Sequence, residues 1–158
     1  TSFSPDHADA HLTYIRDGAA KAGRSMANVE LHTGCQVSVG ENVEEIIDAR
    51  RPGVAFQMGA MGSAQTNFYN DAFKRAGFTD DALAIQKLWI EGRRDEAAAR
   101  VPDEMVTQFG AFGTPEMVKE RFKAYEACGI TSLSLRVDPD QPQNERIAEL
   151  EEIMDLVP

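Results

Sequence analysis

Residues 30–39 read ELHTGCQVSV. In an extended chain Leu31, Thr33, Cys35, Val37 and Val39 fall on one side, and His32, Gly34, Gln36 and Ser38 on the other. A period of two predicts a β-strand, and Gly40 closes it. Residues 131–137, TSLSLRV, repeat the pattern. Thr131, Leu133, Leu135 and Val137 form one face, and Ser132, Ser134 and Arg136 the other, with Asp138-Pro139 as the break. Only these two stretches alternate convincingly, and the long segment between them reads as helical. Helices between strands imply a parallel sheet with crossover connections. Two strands cannot make a stable sheet of that kind. The chain therefore reads as part of a larger α/β fold.

Outward from the strands, the helices carry their own signals. Ser4-Pro5 opens a helix, with an acid at Asp6 and an apolar stripe of Leu12, Ile15 and Ala19, and Gly23 stops it. Asn42 caps a helix carrying Val43, Ile46 and Ile47, which Pro52-Gly53 is expected to interrupt or kink. A helix is expected around 66–76. Another is capped by Thr79, carries Leu83, Ile85, Leu88, Trp89 and Ile90, and ends at Gly92. Residues 93–109 read helical with a break at Pro102. Thr114-Pro115-Glu116 is a strong helix start, with Val118, Phe122 and Tyr125 as its core stripe. The last helix, about 143–157, carries Ile147, Leu150, Met154 and Val157 at helical spacing.

The 158 residues suffice for one domain with a real core. A hydrophobic share of 42% and a charged share of 27% are globular values. A net charge of -10 without a basic stripe argues against nucleic acid and against anionic membranes. No apolar run approaches the roughly 20 residues that cross a bilayer, and the first residues, TSFSPDHADAH, lack the pattern of a signal peptide. With only Cys35 and Cys128 and no CxxC pair, the expectation is two reduced, mostly buried thiols in a cytoplasmic protein. The chain begins with Thr, so it is expected to be processed or cut from something longer.

Residues 59–78, GAMGSAQTNFYNDAFKRAGF, followed by 82–106, ALAIQKLWIEGRRDEAAARVPDEMV, resemble the C-terminal half of the bacterial-luciferase-like oxidoreductases. The nearest branch uses the deazaflavin coenzyme F-420. Residues 112–135, FGTPEMVKERFKAYEACGITSLSL, look like that family's last helix–strand passage. The resemblance implies the C-terminal part of a (β/α)8 TIM barrel. Strand 30–39 would be the seventh barrel strand and 131–137 the eighth, with 52–112 as a helical insertion beside the active site. The first six strands would lie outside this chain. It implies a hydride transfer between F-420 and a small organic substrate, with an FMN-dependent monooxygenase as the near alternative. The family's acid–base residues come from earlier strands, so no catalytic residue is assigned here.

The stretch 58–70, MGAMGSAQTNFYN, does not follow a strand, so it is neither a P-loop nor a dinucleotide fingerprint. Its glycines admit a close-approaching ligand, and Ser63 with the next N–H groups could cap a helix and hold an anion. Equally, it is a helix–helix turn that needs glycine dihedrals. On the resemblance, Gly59, Ala60, Met61, Gly62 and Ser63 would line the cofactor side of the barrel mouth. Arg136 would point inward at the end of the last strand, where it suits a phosphate or carboxylate of the substrate. The competing reading is a structural ion pair with Asp138 or a neighbouring acid. Gln36, on the inward face of its strand, is a cofactor-contact candidate, whereas His32, near the strand start, reads as a satisfied core histidine. Asn67, Phe68 and Tyr69 either touch a flavin ring or dock a helix. His7 and His11 are four apart on a helix, but no third metal ligand accompanies them, and a solvated face is the simpler reading. No metal site is expected. A second class of function stays open: a non-catalytic module that folds by associating with its missing N-terminal half or with its own copy.

Overall fold

The computed structural model describes residues 3–63, 65–136 and 141–157. Three strands, β1 (His32–Val39), β2 (Ala111–Gly113) and β3 (Ser132–Arg136), form a parallel sheet in the order β2-β1-β3. Among the described residues eight α-helices accompany it: α1 (Asp9–Lys21), α2 (Val43–Ala60), α3 (Phe68–Arg75), α4 (Thr79–Ile90), α5 (Arg94–Ala99), α6 (Asp103–Thr107), α7 (Pro115–Ala127) and α8 (Gln143–Asp155). This is an α/β fold, as the alternation of residues 30–39 and 131–137 implied.

The strand count needs one correction. β2 is a third strand, and its register against β1 runs Val37 to Ala111, Ser38 to Phe112 and Val39 to Gly113. Three residues are too few to display a period of two, so AFG carries no readable pattern. Both its side chains are buried, Ala111 in one core and Phe112 in another. The strand thereby joins two hydrophobic clusters.

The first cluster lies on the apolar face that the alternation predicts. Cys35 and Val37 of β1 pack with Val118, Phe122 and Tyr125 of α7, Leu12 of α1 and Ile153 of α8, and Leu133 and Leu135 of β3 lie against it. Burying each large side chain contributes on the order of 1.5–3 kcal/mol. α7 starts as its sequence says: Thr114 accepts a hydrogen bond from the Met117 N–H through Oγ1, and Pro115 opens the first turn. The second cluster is helical. Ile47, Ala55 and Met58 of α2 meet Phe73, Ile85, Met105 and Val106 from α3, α4 and α6.

α2 also corrects an expectation. Pro52 neither ends nor interrupts it; the helix runs unbroken from Val43 to Ala60. An interior proline costs about 3 kcal/mol in an isolated helix. Here packing on both sides of it offsets that cost, and Arg51 ties the same turn to Asp48 and Asp103 at 2.7 and 2.5 Å and to the Val101 carbonyl. Helix starts shift slightly elsewhere. The N-cap of α4 is Phe78, and Thr79 is its first residue. The Ser4-Pro5 start is a short 3-10 turn over Pro5–His7, capped by Ser4, that leads into α1. On α8 only Ile153 is buried, while Ile147, Leu150, Met154 and the following Val157 are exposed.

Candidate functional site

The two long strands set the site. β1 and β3 pair in register, His32 with Ser132, Gly34 with Ser134 and Gln36 with Arg136. All six belong to the polar side of their strands, so one face of the sheet is a polar surface. Thr33 and Cys35 are buried on the other face, while His32, Gln36, Ser134 and Arg136 are exposed. All-parallel sheets normally have both faces covered and read as continuous apolar runs. This one has an apolar face under helices and a hydrophilic face that helices cover only in part.

A cavity of about 580 Å³ opens over that polar face, within the range of ordinary ligand sites. Its floor is His32 to Gln36 with Ser134 and Arg136. α2 supplies Arg50, Gly53, Val54 and Gln57, α3 supplies Tyr69 and Phe73, and Phe109 and Phe112 close one side. One wall is thus aromatic and the floor is polar. The charges are one-sided in a chain of net charge -10: among the described residues Arg50 and Arg136 line the cavity and no carboxylate does. Arg50 donates to Ser38 Oγ at 2.5 Å, and its guanidinium lies 5.3 Å from the centroid of the Phe112 ring. Among the described residues Arg136 has no ion pair; Asp138, its alternative partner, lies outside the described residues, as do Val137 and Pro139.

The structure brings Gln36 and Arg136 together and leaves the glycine stretch apart from them. Gly59 and Ala60 are the last turn of α2, Met61 is its C-cap and Gly62 has φ +134°. A Cβ on Gly59 would lie 2.0 Å from Trp89 Cγ, so this glycine permits the close packing of α2 on α4. The Ser63 N–H donates to the Thr66 carbonyl at 3.0 Å, and Ser63 Oγ accepts from the Gln65 and Thr66 N–H groups at 3.2 and 3.0 Å. Ser63 is therefore a turn residue, and the expectation that it caps a helix is corrected: Asn67 caps α3, accepting from the Asn70 N–H. None of Gly59 to Ser63 lines the cavity.

Other expectations resolve residue by residue. Asn67 docks helices, donating to the Gln57 and Met58 carbonyls at 2.9 Å each. Tyr69 reaches the cavity and meets Phe68 edge-on. In this chain His32 is exposed, and its Nδ1 lies 2.9 Å from Ser132 Oγ. His7 Nε2 lies 3.1 Å from Gln108 Oε1, and the His11 ring is 5.8 Å from that of Phe3, so both imidazoles have other neighbours. Cys35 is buried, and desolvation pushes its thiol up to about 11; burial likewise raises the half-buried Cys128 thiol. Arg50 escaped the sequence reading because it lies on a helix valued only for its apolar stripe. The signal available was the pair Arg50-Arg51 in an acidic chain.

Among the described residues no helix is long and apolar enough to cross a membrane. Residues 1–132 match the family model described as luciferase-like monooxygenase. A protein of Mycobacterium tuberculosis provisionally named a coenzyme F-420-dependent oxidoreductase is 32% identical over 133 residues, which is 83% of this chain and 38% of that one. The 5,10-methylenetetrahydromethanopterin reductase of Archaeoglobus fulgidus is 30% identical over 75% of this chain and 35% of its own length. Among solved structures, the coenzyme F-420-dependent tetrahydromethanopterin reductase of Methanopyrus kandleri superposes with a TM-score of 0.68 at 25% identity, covering 94% of this chain and 41% of that one. The chain thus spans well under half the length of the relatives it matches.

Proposed function

Because the chain belongs to the luciferase-like monooxygenase family, we propose that it is the C-terminal part of a coenzyme F-420-dependent oxidoreductase acting on a small organic substrate. The observation that carries this reading is the polar face of an all-parallel sheet beneath a cavity with an aromatic wall. In a (β/α)8 barrel the face of the strands turned away from the outer helices points into the barrel, and active sites sit at the C-terminal ends of the strands; polar residues on that face suit such a site. β1 and β3 then stand as the seventh and eighth barrel strands, and the remaining strands close the barrel over the polar face. β2 covers only the C-terminal part of the second edge of β1. The exposed stripe of Ile147, Leu150 and Met154 on α8 gives the N-terminal half, or a second copy, an apolar surface to cover.

The residues present fit a deazaflavin. Tyr69 and Phe109, half-buried at the cavity with Phe73 and Phe112 buried behind them, offer aromatic surface for a flat ring, Gln36 offers an amide to hydrogen-bond, and Arg136 offers a fork of donors to an anionic group of the substrate. The cofactor itself supplies the hydride chemistry, and the protein supplies binding, orientation and electrostatics. The loop Gly59–Ser63 is proposed as the outer rim on the cofactor side. Two of the three proteins named above are F-420-dependent by name, so the deazaflavin is preferred to FMN.

Titrating the purified chain into F-420, with fluorescence as the readout and native mass spectrometry for stoichiometry, tests the reading. Saturable binding that FMN does not displace is the expected result. Absence of a saturable signal, alone and with an N-terminal half of the same family supplied in trans, would overturn it.

A further inference from the structure

We propose that Arg121 is a positioning residue for the ligand cavity: from behind one wall its guanidinium holds the turn 108–110 and so sets the Phe109 ring at the ligand. The inference rests on the cavity being the ligand site and adds the device that fixes this wall. Residues 108–110 connect α6 to β2. α6 has 5 residues, too few to stand as a helix by itself, so the turn that follows it depends on anchors from elsewhere. On the cavity side Phe109 is half-buried, and its ring lies on that of Phe73 with centroids 4.0 Å apart and planes at 32°. Gly110 seats the turn on the floor: a Cβ there would stand 2.4 Å from the Phe112 ring and 3.0 Å from the Gln36 carbonyl oxygen.

On the other side the anchors converge on one side chain. Behind the wall lies a second hollow of about 540 Å³, bordered by Asp6, Gln108, Gly110 and Arg121, and Phe112 borders both hollows. Arg121, mostly buried on α7, donates through Nη2 to the Gln108 carbonyl and through Nε to the Gly110 carbonyl at 3.2 Å. These two carbonyls flank Phe109. Gln108 is also the C-cap of α6, and a cation suits the unpaired carbonyls at a helix C-terminus. The rest of the guanidinium is occupied as well. Nη1 donates to Asp6 Oδ2 at 2.6 Å, Nη2 to Ser4 Oγ at 3.4 Å, and the group lies 5.8 Å from the centroid of the Tyr125 ring. His7 Nε2 lies 3.1 Å from Gln108 Oε1, so residues 4–7 brace both the clamp and the turn it grips. A loose wall must be ordered when the ligand binds, and that cost is subtracted from affinity. A clamped Phe109 is ordered in advance.

The test has two readouts on the full chain: amide hydrogen exchange without ligand, and F-420 affinity by fluorescence titration. The proteins are the wild type, Arg121→Met, Phe109→Leu and the double variant. Arg121→Met is expected to speed exchange over residues 108–112 about tenfold more than over β1, and to weaken F-420 binding about fivefold. In the Phe109→Leu background the same substitution is expected to weaken binding less than about twofold, because its effect passes through the Phe109 ring. Arg121→Lys keeps the charge beside Asp6 with one nitrogen in place of three. It is expected to fall between wild type and Arg121→Met, and it carries both readouts if Arg121→Met does not fold. Acceleration spread evenly over the chain, or an affinity loss of the same size with and without Phe109, is what a general loss of structure gives, and either overturns the proposal. So does unchanged exchange at 108–112. A wild type that binds no F-420 removes the cofactor reading alone. Exchange then decides the clamp: faster exchange confined to 108–112 supports it, and unchanged protection overturns it.

Discussion

Gln36 and Arg136 are register partners across the β1–β3 ladder, and both side chains stand on the polar face above which the cavity opens. Neither is buried. Substitution there is therefore cheap for the fold, within about 0.5 kcal/mol for exposed positions away from special features. Gln36→Leu is expected to leave the melting temperature of the chain unchanged and to weaken F-420 binding about tenfold. That is the scale of one lost hydrogen bond of about 1.4 kcal/mol. Fluorescence titration and thermal denaturation on one preparation separate the two effects. A large drop in stability would mean that Gln36 holds the sheet rather than a ligand.

The glycines at the end of α2 and just beyond it answer to different constraints. Gly59 lies under Trp89, which itself meets Phe56 edge-on with ring centroids 5.8 Å apart. Gly59→Ala must displace the indole, at about 1–3 kcal/mol. Gly62 combines a φ of +134° with a backbone oxygen, that of Thr66, 2.4 Å from where a Cβ would stand. Gly62→Ala is expected to cost at least as much, because backbone yields less readily than a side chain. Urea unfolding midpoints measure both. A neutral Gly59→Ala would remove close helix approach as the reason for that glycine.

The contrast between what could and could not be read follows from range. β1 and β3 were legible because each alternates over five residues or more, and the sides of their strands follow from that period alone. β2 was not, because Ala111 and Phe112 are buried by different cores and three residues hold no period. Pro52 misled for a related reason: its local cost is real, but α2 is held by α4, α5 and α6, which no local signal reports. Arg136 and Gln36 were found through alternation. Arg50 was missed because its meaning depends on Ser38 across the chain fold, and the loop Gly59–Ser63 drew attention by composition while lying outside the cavity.

Cys35 and Tyr125 give the chain an alkaline limit. Burial raises the Cys35 thiol from 9.0 to about 11, and burial first, with the neighbouring Cys35 second, raises the Tyr125 phenol as well. A thiol whose pKa is raised by folding stabilises the folded state fully below its unfolded pKa, near 9. That contribution disappears as the pH climbs toward 11, and the phenol adds to the loss above its own unfolded value, near 10. The thiol accounts for about 2–3 kcal/mol over this window. Unfolding free energy measured from pH 8 to 11 is expected to fall, and to fall less steeply in Cys35→Ala, whose cavity lowers stability by a pH-independent amount. Parallel curves for the two proteins would contradict the assignment.

Asn67 performs three tasks with one buried side chain. Its Oδ1 accepts from the Asn70 N–H at 3.0 Å and caps α3, while its Nδ2 donates to the carbonyls of Gln57 and Met58 in the last turns of α2. Asn67→Ala abandons the cap and leaves two α2 carbonyls without this donor, at an expected cost of about 1–3 kcal/mol. Asn67→Asp is the sharper variant. Its carboxylate still caps α3 but turns a negative oxygen toward two carbonyl oxygens, so at pH 7 it is expected to be at least as damaging as alanine. Protonation restores an O–H donor toward α2. The folded pKa of this new carboxyl is therefore raised above its unfolded value, and the stability of Asn67→Asp relative to Asn67→Ala is expected to improve as the pH falls from 7 toward 4. Urea unfolding of both variants at the two pH values makes the comparison. A pH-independent difference would show that the α2 carbonyls do not depend on Asn67 as a donor, and that its role is the α3 cap alone.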